Sequence, residues 1–184
     1  LPMAQMAAES RANLCCVHCE TYILNRHDIE FSESDLINTA RENNWLTDKG
    51  TPLYAVGQLL SLKGIMVTRT YDANLTDIAE ALKRGNDIIA VIDNDKLNPT
   101  LQDYDDLPNH AVVITAIDND GQNLTIYNPQ ESVSSLQHIC ISNFMNAWRE
   151  SRNYMVCTIK SPDEYNPRPI NLDDIDLTDH LLDL

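Results

Sequence analysis

At 184 residues and 43% hydrophobic, the chain is long enough for one domain with its own core and too short for two ordinary ones. A formal net charge of −15, from 13 basic against 28 acidic residues, argues against a nucleic-acid or anionic-membrane surface and favours a neutral or basic partner. No window approaches the ~18 apolar residues of a membrane span, no basic flank and apolar run mark a signal peptide, and five cysteines, three within Cys15 to Cys19, read as reduced thiols of a cytoplasmic protein.

Residues 1–14 are Ala-, Met- and polar-rich, begin at Leu1 rather than an initiator Met, and run into Cys15 without a turn residue after Pro2. A helix is predicted from about Leu14 to about Asn25, with Asn13 as its N-cap. Ser32 followed by Asp35 resembles a capping box opening a second helix with Leu36, Ile37 and Ala40. Gly50-Thr51-Pro52 opens a third, in which Leu53, Val56, Leu59, Leu60 and Leu62 keep helical spacing until Gly64. Ile65 to Tyr71 alternates like a strand, and Asn74 starts a fourth helix that runs to Lys83 and stops at Gly85. The apolar run Ile88 to Ile92 suits a central strand buried on both faces. Asp93 to Pro108 reads as a surface loop. Ala111 to Ile117 and Leu124 to Tyr127 form a hairpin across Asp118-Asn119-Asp120-Gly121. Asn143 to Arg149 is a helix, and Tyr154 to Ile159 a closing strand. Helices followed by a mostly antiparallel sheet make an α+β fold. Residues 161–184 are an acidic tail whose leucines and Ile175 alternate with aspartates, suited either to a partner or to docking on its own domain.

The chemistry concentrates in two places. Leu14-Cys15-Cys16-Val17-His18-Cys19 puts a thiol at a helix N-terminus, where the helix dipole favours thiolate; Asn109-His110 puts an imidazole at a strand start. Brought together, Cys15 and His110 are the halves of a thiolate–imidazolium pair, charged at rest, which predicts that Cys15 alkylates before the other four thiols. Asn128, locked by Pro129 at the end of the hairpin, stands opposite His110 and is the group to orient its ring. The residues alone leave other readings open: a buried cysteine as a small inert hydrophobe, a satisfied structural histidine, an asparagine chosen for a turn. Cys15, His18 and Cys19 share a helix face at zinc-capable spacing, but no fourth ligand accompanies them and no metal is assigned. Cys140 and Cys157 read as core packing.

In this order and spacing the motifs resemble those of the papain-like peptidases that remove double-glycine leaders from bacteriocins, and their stand-alone relatives. The family's Cys-Gly-x-Ala-Cys corresponds to Cys15 through Cys19, continuing into Tyr22-Ile23-Leu24. Lys49-Gly50-Thr51, Leu62 to Ile65 and Leu75 to Ile92 resemble its middle region, and His110-Ala111-Val112-Val113 with Tyr127-Asn128-Pro129 its second motif. The resemblance implies a papain-like domain over residues 1–160, a bacterial source and a peptide or protein substrate. It also implies Cys15 as nucleophile, His110 as base and then acid, Asn128 as orienter, a thioester intermediate and no cofactor. Two positions depart from the pattern. Cys16 replaces the glycine after the nucleophile, and Glu9 occupies the oxyanion-hole glutamine position six residues before it. Losing one oxyanion donor costs about 2.7–4 kcal/mol of transition-state stabilisation. Gln5, or a protonated Glu9, are the substitutes at hand. An impaired peptidase retained as a peptide-binding module, and a glutamine deamidase or transglutaminase, are the competing readings.

Overall fold

The uninterrupted apolar strand β2, Ile88–Ile92, is buried along its whole length. The computed structural model describes residues 13–97, 108–129 and 135–164. Around β2 a six-stranded sheet is ordered β1 (Met66–Thr70), β6 (Met155–Ile159), β2, β3 (His110–Ile117), β4 (Asn123–Asn128), β5 (Ser135–Cys140), with every neighbouring pair antiparallel. The strand predicted to close the chain is therefore inserted between β1 and β2.

Strand alternation gives the sheet two apolar faces, because successive side chains point to opposite sides. Ile89 and Val91 pack with Ala111 and Val113 under helices α1 (Cys15–Arg26), α2 (Glu33–Glu42) and α3 (Gln58–Leu62). Ile88, Ala90 and Ile92 pack with Val112 and Ile114 under α4 (Leu75–Lys83) and α5 (Ile141–Arg149). A strand covered by helices on both faces must be apolar at every position, which is why Ile88–Ile92 does not alternate.

Local signals set most helix ends. Ser32 Oγ accepts from the Asp35 amide, and Asn74 with Asp77 forms a complete capping box. The third predicted helix is different. Leu53–Ala55 is a 3-10 turn, Val56 is extended, and Gly57 at φ +91° restarts the chain as the short α3. A Cβ on Gly57 would sit 2.9 Å from Val156 Cγ1, so close approach to β6 breaks the helix that the leucine spacing suggests. Gly57→Ala is expected to lower stability by about 2 kcal/mol, read as a shift in the urea midpoint, because left-handed backbone and the Val156 contact act together.

The sequence reading missed β5, and α5 starts at Ile141 rather than Asn143. Within the predicted loop, Asn94–Leu97 makes a 3-10 turn and 98–107 lie outside the described residues. Among the tail residues, Pro162–Glu164 form a turn in which Glu164 accepts from the Asn86 amide group at 3.5 Å; 165–184 lie outside the described residues. No helix among the described residues is long and apolar enough to cross a membrane.

Two contacts fix α1 across the sheet. Its C-terminal end is held by buried Asp87, which pairs with Arg26 at 3.0 Å and His27 at 2.7 Å. Midway along, Tyr22 stacks on Tyr127 of β4 at 4.2 Å. These tethers direct the opposite end of α1, and with it Cys15, toward the start of β3.

Candidate active site

Cys15 is the first residue of α1 and is partly exposed. The helix is capped by Leu14 without a side-chain bond; Asn13, the predicted cap, instead donates its amide to the Asp48 carbonyl at 2.7 Å. First-turn amides of a helix have no intrahelical acceptor. Here those of Cys15 and Cys16, with the Ala111 amide of β3, point hydrogen-bond donors at the thiol.

The thiol lines a pocket of about 180 Å³ that also takes in His110, Asn109, Val91, Thr51 and Lys49. His110 opens β3, and its Nε2–H donates to Asn128 Oδ1 at 2.5 Å. Val113 pairs with Tyr127, which sets Asn128 across from Val112 and makes His110 its diagonal neighbour rather than its opposite. The hairpin carries a register shift between Ile114 and Ala116, a feature that counting outward from the turn does not reveal. Asn128 is 2% exposed, and its Nδ2–H donates to Gln137 Oε1 of β5 at 3.0 Å. Gln137 belongs to the strand that sequence reasoning missed, and its sequence neighbourhood carries no signal for the site. Among the described residues no hydrogen bond joins the Cys15 thiol to the His110 ring.

Burial dominates the electrostatics. It pushes the Cys15 thiol up despite the three amides, and it pushes the His110 imidazole down against the stabilising bond from Asn128. Both shifts favour the uncharged forms, thiol and imidazole. Desolvation thus works against the resting ion pair that the helix dipole favours.

Cys16 turns inward, 3% exposed, and its thiol donates to Glu20 Oε2 at 3.5 Å. The zinc-capable helix face is dispersed, with His18 Nε2 3.3 Å from Glu33 and Cys19 fully buried in the core. Among the described residues no group of three or more His, Cys, Asp or Glu could hold a metal. Glu9 and Gln5, the oxyanion candidates, lie outside the described residues.

Cys140 is exposed rather than part of the core. It caps α5, and hydrogen bonds from the Ser142 hydroxyl at 2.9 Å and from the Asn143 and Ser142 amides hold its thiol below the ordinary range. Iodoacetamide at pH 7 should therefore modify Cys140 on the order of tenfold faster than Cys15, reversing the order expected from the sequence. Peptide mass mapping over time checks this, and faster labelling of Cys15 would show that it carries thiolate at rest.

The Peptidase_C39 like family model matches residues 2–156 of the chain. Among solved structures, a Bacillus anthracis protein assigned as a C39-like peptidase superposes with a TM-score of 0.64 at 13% identity, over 81% of this chain and 90% of that one. At that identity the likeness speaks for the α+β fold. Comparison with curated proteins gives no match.

Proposed function

Because this chain belongs to the C39-like peptidase family, we propose that it hydrolyses peptide bonds with Cys15 as nucleophile, His110 as general base and Asn128 as the residue that orients the ring. The observation that carries this reading is the 2.5 Å bond from His110 Nε2–H to Asn128 Oδ1, at the edge of the pocket that Cys15 lines. It leaves the other ring nitrogen, Nδ1, with its lone pair for the thiol proton.

In this mechanism the thiol is deprotonated as it attacks. His110 Nδ1 takes the proton, the sulfur adds to the scissile carbonyl carbon, and the oxyanion meets the Cys15 and Cys16 amides. The imidazolium returns its proton to the departing amine, leaving a thioester; water, activated by the same nitrogen, then releases the acid. Since burial favours the neutral forms, this is general-base catalysis rather than attack by a preformed thiolate. Rate should rise with pH above the His110 transition, which lies below the ordinary 6.5, because His110 must be neutral to act.

Incubating the protein with a mixed peptide library and following products by mass spectrometry tests the reading. New peptide termini support a peptidase, whereas unit mass gain at glutamine on uncut peptides would point to deamidation. One observation favours a second reading, a peptide-binding module: the absence of a hydrogen bond between Cys15 and His110 among the described residues. Saturable peptide binding without any cleavage would establish it.

A further inference from the structure

An asparagine in the orienting position raises a problem that an aspartate does not. A carboxylate presents oxygen whichever way it turns, while an amide has one accepting end and one donating end. Turned one way, Asn128 accepts from His110 Nε2–H, and the neutral ring keeps its lone pair on Nδ1. Turned the other way, its NH2 needs a lone pair on Nε2, the proton moves to Nδ1, and the ring has no basic nitrogen for Cys15.

Gln137 presents its amide oxygen to Asn128, and that contact favours the turn in which the asparagine oxygen faces the ring. The pairing of Ile126 with Gln137 places the glutamine diagonal to Asn128, just as Asn128 is diagonal to His110. One row of side chains therefore crosses β3, β4 and β5 on one face of the sheet. Along it, Gln137 Oε1 accepts from Asn128 Nδ2 at 3.0 Å, and Asn128 Oδ1 accepts from His110 Nε2 at 2.5 Å. Asn128 is 2% exposed, so water does not compete for either end.

We infer that Gln137 is a positioning residue whose side-chain oxygen fixes the sense of the Asn128 amide and, through it, the Nε2–H tautomer of His110. The inference rests on the proposed roles of Asn128 and His110, but its central claim concerns a tautomer and is measurable whether or not the protein cleaves anything.

Gln137→Met removes the acceptor at similar length; Gln137→Glu supplies one that can only accept. Nitrogen-15 NMR of histidine-labelled protein, with His110 assigned from the His110→Gln spectrum, reads the tautomer directly. Wild type and Gln137→Glu should hold the Nε2–H form, and Gln137→Met should populate the Nδ1–H form. In peptide hydrolysis, Gln137→Met should lose on the order of tenfold in kcat with KM little changed, in line with a misoriented base. Gln137→Glu should recover most of the rate and move the acid limb of the pH profile upward, because its carboxylate favours the imidazolium. An unchanged His110 tautomer in Gln137→Met overturns the inference. Gln137 is only partly buried on an edge strand, so Met is tolerated there; should it unfold the protein, Gln137→Ala gives the same reading. If wild type cleaves no peptide, the proposed function fails, while the NMR arm still decides the role of Gln137.

Discussion

Replacing Cys15 with alanine should cost at least about three orders of magnitude in the rate of peptide hydrolysis, because removing the nucleophile removes every covalent step, and what remains comes from binding and oxyanion contacts. Alanine is compatible with the first turn of a helix, and Cys15 is partly exposed, so urea midpoints of variant and wild type should agree closely. Cys15→Ser separates nucleophilicity from shape: it keeps a protonated group between the Ala111, Cys15 and Cys16 amides but offers His110 a far weaker acid to deprotonate. Steady-state hydrolysis of one cleaved peptide, measured beside circular dichroism, provides the check. Activity surviving in Cys15→Ala would move the chemistry elsewhere. Mass spectrometry of a covalent adduct with a peptide aldehyde, present in wild type and absent in the variant, ties the loss to the sulfur.

The second large effect is a pH-dependent loss of stability traced to Glu20. This carboxyl is 2% exposed inside α1, one turn below Cys16. Its oxygens accept from the Leu60 amide at 3.2 Å and from the Cys16 thiol at 3.5 Å, and Arg69 of β1 lies near enough to favour its charge. Burial nevertheless outweighs these and raises its pKa to about 7, against 4.5 in an unstructured chain. Between those values the folded protein binds a proton that the unfolded chain has released, so the stabilisation is complete below pH 4.5 and is lost as pH climbs through 7. At 1.36 kcal/mol per pH unit the swing is on the order of 3 kcal/mol. The neutral amide of a Glu20→Gln variant does not titrate, and its oxygen still accepts from Leu60. Urea unfolding at pH 5 and pH 8 should therefore show wild type losing roughly 2–3 kcal/mol relative to Glu20→Gln. Parallel curves would mean that Glu20 is ionised in the folded protein at both pH values.

Glu20 also illustrates what was hidden in the sequence. At its position a glutamate reads as a solvated helix residue, since acidic side chains are rarely buried without a partner. Its partners come from Leu60 and Arg69, which only the packed fold brings within reach. Gly57 misled in a similar way: the leucine spacing from Leu53 to Leu62 does describe one buried face, yet the approach of Val156 requires a backbone turn that spacing cannot encode. Strand β5 was missed because it lies at the edge of the sheet, where Ser135, Gln137 and His138 need not alternate with apolar residues.

Signals contained within a few residues survived: the helix starts at Ser32 and Asn74, the Asp118–Gly121 turn, and the full burial of Ile88–Ile92, while the helix expected from about Leu14 begins at Cys15 without the Asn13 cap. These rest on backbone sterics, local hydrogen bonds and hydrophobic patterning, which a short stretch of chain expresses by itself. The motif order around Cys15, His110 and Asn128 likewise placed the chain among the C39-like peptidases, and the order of helices before an antiparallel sheet predicted the α+β fold. What the tertiary structure alone decided was the environment of those side chains. Burial works against charge on Cys15 and His110, a register shift makes Asn128 diagonal to the ring, and Gln137 joins the row from an unread strand. Charge state and amide orientation depend on which distant groups exclude water and which donors and acceptors face one another, and those are properties of packing, not of neighbours in the chain.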